Sequence, residues 1–165
     1  MSKITLKGNP ITTNGDLPAA GNKAPAATFV KQDLSEASLA SYAGKTKVLN
    51  IFPSIDTGVC ALSVKNFQEK LAGRDDVVVL HVSRDLPFAQ KRFCGAEGVE
   101  NAETLSAFRT DFARDYGVEM TDGPLKGLCA RAVLVLDGND VVKHAELVPE
   151  IAQEPNYDAA LAALK

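Results

Sequence analysis

The chain contains no tryptophan, two methionines, two histidines and three cysteines among its 165 residues, and each scarcity closes off a reading. Cys60, Cys94 and Cys129 are too few, and odd in number, for a secreted disulfide framework, so catalytic or redox thiols are the better expectation. His81 and His144 fall in separate strand-like stretches without Cys-x-x-Cys or His-x-x-x-His spacing. That gives a metal site no support and leaves both as ordinary strand histidines. No Gly-rich phosphate loop occurs, so neither nucleotide nor dinucleotide cofactor is implied. No stretch approaches the roughly 18 apolar residues of a membrane span. Residues 1–8 lack the apolar core of a signal peptide, and the expectation is a cytoplasmic protein away from membranes. A net charge of -3, a pI near 5.4 and no run of like charges offer no basic footprint for nucleic acid. What the chain does have is 45% hydrophobic residues, enough for one sizeable core, which suggests a single domain over 1–165.

Short apolar runs at 4–6 and 11–13 around Gly8-Asn9-Pro10 read as an N-terminal β-hairpin. A short strand at 28–31 and a helical turn at 38–42 follow. The pattern then sharpens into a strand over 48–52, a helix over 59–72 stopped at Gly73, and a β-branched strand over 77–82. That is a βαβ unit whose strands should run parallel with a right-handed crossover. Pro87 opens a helix over 88–94 ended by Gly95, and 102–116 reads as a longer helix closed by Gly117. Strands at 132–136 and 141–148 flank the turn Asp137-Gly138-Asn139-Asp140, before a last helix over 157–164. The order fits an α/β, thioredoxin-like fold, with a mixed central sheet flanked by helices and a hairpin extension. Ligands of such sheets bind at strand carboxyl ends, where the first confident strand leads to Cys60.

Asn50-Ile51-Phe52-Pro53-Ser54-Ile55-Asp56-Thr57-Gly58-Val59-Cys60 runs from that strand into the helix. A cysteine in a helix's first turn meets unsatisfied N–H groups and the positive dipole end, which favour thiolate, the attacking form, over thiol. Asp56 and Thr57 are both candidates for the N-cap. Spacing alone also allows a plain packing role, because Cys60, Val64, Phe67 and Leu71 share one helical face. Ionisation by itself cannot make a fast nucleophile, since intrinsic nucleophilicity falls as the thiolate becomes easier to form. Groups that align a substrate and take up developing negative charge are also required. The Thr57 hydroxyl, three residues before Cys60, is one such group. Arg131, at the start of the 132–136 strand, is the candidate cation, against the alternative of an exposed strand-end charge.

The pattern Pro53-x-x-x-Thr57-x-x-Cys60 in a strand-loop-helix context resembles the peroxidatic signature of the peroxiredoxins. With Asp85-Leu86-Pro87-Phe88-Ala89-Gln90, Arg92-Phe93-Cys94-Gly95 and Asp122-Gly123-Pro124-Leu125-Lys126-Gly127-Leu128, it is similar to the thiol peroxidase subfamily over nearly the whole chain. The resemblance implies an enzyme of antioxidant defence and redox homeostasis that reduces hydrogen peroxide and organic hydroperoxides without a prosthetic group. It further implies Cys60 as peroxidatic thiol, Thr57 and Arg131 as activating groups, and Pro53 as shelter for the thiolate on the substrate side. Cys94 would resolve the Cys60 sulfenic acid as an intramolecular Cys60–Cys94 disulfide, recycled by thioredoxin, in a homodimer. Thirty-four positions separate the two cysteines (94 minus 60), so both segments should unwind locally to pair. Cys129 has no role in this pattern and reads as a small buried residue. Two rivals remain. Cys60-Ala61-Leu62-Ser63 has the Cys-x-x-Ser spacing of single-thiol exchange proteins, and a redox sensor or holdase would share the same reactive thiol.

Overall fold

A seven-stranded mixed sheet forms the centre of the computed structural model, which describes residues 1–99 and 102–164. The elements in order are β1 (Lys3–Leu6), β2 (Asn9–Thr12), β3 (Thr28–Val30), β4 (Glu36–Ser38), a 3₁₀ turn (Leu39–Tyr42), β5 (Thr46–Ile51), α1 (Gly58–Lys70), β6 (Val77–Ser83) and α2 (Pro87–Glu97). There follow β7 (Glu103–Ser106), α3 (Phe112–Asp115), β8 (Ala132–Leu136), β9 (Val142–Leu147) and α4 (Tyr157–Ala162). Spatial order is β4-β3-β7-β6-β5-β8-β9, and β1 and β2 form a separate hairpin. As the βαβ reading requires, β5 and β6 are parallel. β6 and β7 are parallel as well, whereas β8 runs antiparallel to β5 and β9 to β8.

Two expectations fail. Residues 102–116 are no long helix: Glu103–Ser106 is β7, inserted beside β6, and only the short α3 remains helical. The apolar spacing of Ala102, Leu105, Phe112 and Tyr116 suits a helix, but Thr104, Leu105 and Ser106 are all buried, as an interior strand demands. Periodicity cannot separate the two for so short a run. α2 does not stop at Gly95. It continues to Glu97 and ends at Gly98, whose left-handed backbone (φ 71°) lets its N–H reach the Cys94 carbonyl, so Cys94 lies inside the helix. β4, at three residues, carries too little pattern for the sequence to indicate it.

Alternation along the strands divides the core. Leu49, Ile51, Leu80, Val82, Leu105 and Leu134 pack with Phe29, Phe112 and Tyr116 on one face. Val48, Val79, Val133 and Val135 pack with Phe67 of α1, Leu71 at its C-terminal end and Ala160 of α4 on the other. On that second face His81 is fully buried, and burial pushes its imidazole down to about 3. The unfolded chain takes up this proton below about 6.5 and the folded chain does not until about 3. The contribution is therefore complete above pH 6.5 and falls by about 1.4 kcal/mol per unit as pH drops through that window. Urea titrations between pH 6.5 and 5, above the carboxylate range, should show this slope, and His81→Gln should flatten it by about one proton.

Candidate active site

Cys60 is the third residue of α1, fully buried, in an apolar cluster with Phe52, Ile55, Val64, Phe93 and Cys94. The helix starts here because Pro53 follows β5 and the chain turns through Ser54 to Thr57, where Thr57 N donates to Ser54 O at 3.2 Å. Thr57 has the extended backbone of an N-cap (φ -99°, ψ 149°), but its side chain does not cap. Its hydroxyl donates instead to Ser54 O at 3.0 Å, and the other capping candidate, Asp56, pairs with Arg92 of α2. The first-turn amides of α1 are therefore left as donors without a side-chain partner.

Arg131 approaches from the start of β8 and is 2% exposed, not the surface charge its position also allowed. Its Nε donates to Ile151 O at 2.8 Å and one terminal nitrogen donates to Cys60 Sγ at 3.3 Å, while the other, Nη1, is buried without a partner. Among the described residues no carboxylate lies within ion-pair distance of it. A guanidinium without a counter-ion is costly to bury, and the sulfur of Cys60 is the group in hydrogen-bond reach that can become an anion. Arg131, Thr57 and Pro53 line one cavity of about 480 Å³, completed by Leu6, Val59, Leu125, Leu128 and Ile151. Its walls are mainly apolar, and the N-terminal hairpin supplies one of them.

Two carboxylates outside the nominated site residues build the frame. Asp85, just past β6, accepts from Ser54 Oγ and Ile55 N, both at 2.7 Å, and from Ser83 Oγ at 2.5 Å, pinning the loop between Pro53 and Thr57. Its place at the head of the 85–90 string was the one hint. Glu150 accepts from Gly8 N at 2.9 Å, Thr5 Oγ1 at 3.0 Å and Ala152 N at 2.8 Å, tying the hairpin tip to the segment whose Ile151 carbonyl holds Arg131. These bonds, first those from the backbone of Ala152 and Gly8, hold its carboxyl down at about 2. Asp85→Asn replaces one acceptor by a donor facing an N–H or a hydroxyl. It should cost about 1–3 kcal/mol of stability, read as a lower urea midpoint at unchanged slope.

Cys94 does not line the cavity. It is buried in α2, with Gln32 Nε2 3.6 Å from its sulfur, and both Cys60 and Cys94 are free thiols. Burial holds the Cys94 thiol above its ordinary value, with hydrogen bonds to Gln32 and Thr104 acting the other way. Cys129 is fully buried, and burial pushes it up to about 12. Among the described residues no group of three His, Cys, Asp or Glu could hold a metal ion, and no helix is long and apolar enough to cross a membrane.

The Redoxin family matches residues 19–161. A Mycobacterium tuberculosis protein called Thiol peroxidase is 58% identical over 164 residues, 99% of each chain. Among solved structures, a peroxiredoxin-like protein from Aquifex aeolicus superimposes with a TM-score of 0.93 at 41% identity, over 99% of this chain and 96% of that one. The Thiol peroxidase from Chromobacterium violaceum, at 24% identity, shares the fold with a TM-score of 0.91 over 98% and 94%. Family match, full-length identity and fold agree: the chain belongs to the Redoxin family, among the peroxiredoxins of thiol peroxidase type.

Proposed function

We propose that the chain is a thiol-specific peroxidase for hydrogen peroxide and organic hydroperoxides. The observation that carries this reading is the buried Arg131 guanidinium, donating to Cys60 Sγ at 3.3 Å with Nη1 unpartnered beside it. In the proposed reaction the Cys60 thiolate attacks the terminal peroxide oxygen, the O–O bond breaks, and the departing alkoxide or hydroxide takes up a proton. The Thr57 hydroxyl, whose own hydrogen is given to Ser54 O, has lone pairs to accept from the substrate's O–H. Arg131 and the first-turn amides take the charge developing on the leaving oxygen, the moment at which fixed donors count most. Pro53 closes one side, and the apolar walls favour a carbon tail over bulk water.

The Cys60 sulfenic acid then loses water to the Cys94 thiol, giving a disulfide that a thioredoxin-type dithiol reduces. Because both thiols are buried, the pairing needs α1's first turn and the end of α2 to open. A homodimer in the cytoplasm completes the reading. Non-reducing peptide mapping after one equivalent of hydroperoxide tests it: a Cys60–Cys94 peptide from a single chain is expected, together with many turnovers per chain when thioredoxin and its reductase are supplied. A reaction that stops at one equivalent despite reductant would favour the sensor instead.

A further inference from the structure

In the middle of the sheet face under α1, between apolar Val48 and Val79 on one side and Phe52 on the other, β5 and β6 carry a buried polar level. Asn50 follows Val48 and precedes Phe52 on that face, and its register partner on β6 is His81; both are fully buried. Asn50 Nδ2 donates to Ser63 Oγ at 3.1 Å and to His81 Nδ1 at 3.0 Å, and His81 Nε2 donates to Gln68 Oε1 at 2.9 Å. Ser63 Oγ in turn donates to the Cys60 carbonyl at 2.7 Å. This chain of hydrogen bonds leaves α1 at Cys60, crosses the two central strands and returns to α1 two turns later. Asn50 Oδ1 has no partner, so the layer stands one bond short of full satisfaction. An apolar pair would fill the same space without that deficit, and such departures from consistency gather where function needs them.

Position explains the need. Ala61 is half-buried and Leu62 exposed, so beyond Cys60 itself unwinding α1 from its start uncovers little apolar surface until Ser63, after which Val64 and Phe67 are fully buried. Releasing Cys60 requires the Ser63–Cys60 bond to break, whereas Ser63 itself is held to the sheet by Asn50. We propose that Asn50 and Ser63 are positioning residues that set how readily the first turn of α1 opens after Cys60 is oxidised. They thereby divide the sulfenic acid between two fates. In one, Cys60–SOH and Cys94–SH give the disulfide and water. In the other, Cys60–SOH and a second hydroperoxide give Cys60–SO₂H and the alcohol. The first fate needs the turn open, and the second proceeds with it closed against Arg131. This division rests on Cys94 being the resolving thiol.

Ser63→Ala removes the bond to Cys60 and the anchor to Asn50, while Asn50 keeps its contact with His81. Oxidation of the reduced chain by a fixed excess of hydroperoxide with no reductant present, read by intact mass, gives the ratio of disulfide to sulfinic acid. That ratio compares two fates of one species and is independent of the rate of the first step. It should rise about fivefold, the shift that corresponds to one net hydrogen bond of about 1 kcal/mol. Hydrogen exchange at amides 61–64 should quicken by a similar factor. Phe112→Leu, on the opposite face of the sheet, supplies a variant that loses stability without touching this layer and should keep the parent ratio. A ratio within twofold of the parent in Ser63→Ala, or an equal change in Phe112→Leu, overturns the proposal while the Cys60–Cys94 disulfide still forms. Absence of that disulfide from the parent chain would instead bring down the assignment of Cys94, and this division with it.

Discussion

Arg131→Met slows the reaction of Cys60 with hydroperoxide by about 10²–10³, the loss that follows removal of a pre-aimed donor to a developing anion. The magnitude rests on burial. At 2% exposure the guanidinium acts through protein instead of water, and among the described residues no carboxylate competes for it. The methionine stem fills similar volume, so the packing of β8 survives, although Ile151 O loses its donor. Arg131→Lys keeps the charge, but one ammonium cannot span Ile151 O and Cys60 Sγ as the fork does, and most of the loss should remain. Stopped-flow consumption of hydroperoxide by the reduced chain measures the effect. A change of less than threefold, with the fold intact by circular dichroism, would remove Arg131 from the chemistry.

Cys94→Ser abolishes turnover with thioredoxin while sparing the first stoichiometric burst. The two thiols lie on different helices, and only Cys60 touches Arg131, so under the proposed function this substitution should separate attack on peroxide from its resolution. With no partner sulfur, the sulfenic acid stays exposed to further peroxide and climbs to the sulfinic acid, detectable as a mass gain of two oxygens. Cys60→Ser should show neither burst nor mass gain. Full turnover in Cys94→Ser would support the single-thiol exchange reading carried by Cys60 and Ser63 at Cys-x-x-Ser spacing.

Much of this was legible in order along the chain. The β5-α1-β6 unit announces itself through a β-branched run, a proline stop and a four-three-four helical face, because a buried parallel unit needs little besides those. Cys60 and Arg131 could be nominated from their places at element ends. That they touch depends on β8 lying beside β5, which no local pattern carries. β7 stayed hidden because its burial comes from neighbours on both sides, 77–83 and 28–30, and not from its own alternation. Thr57 stands at the N-cap position that the sequence indicates, but its hydroxyl is turned to donate to Ser54 O and accepts nothing from the first-turn amides, an orientation set by the turn and not by the capping pattern. Asp85, Glu150 and the Asn50–His81 layer each also hold partners 13 to 142 positions away, a distance at which single-sequence patterns are silent.

The mouth of the cavity is assembled from opposite ends of the chain, Leu6 from the first hairpin and Ile151 from just before the last helix, with Glu150 clipping them together. The opening hairpin thus behaves as a cassette: exchanging Leu6 for another apolar side chain should retune which hydroperoxides fit, while the bonds of Thr5 and Gly8 to Glu150, and with them the Ile151 hold on Arg131, stay in place. A purification tag fused ahead of Met1 hangs from that same cassette, so kinetics on tagged and tag-free protein are best compared before any substrate ranking is drawn.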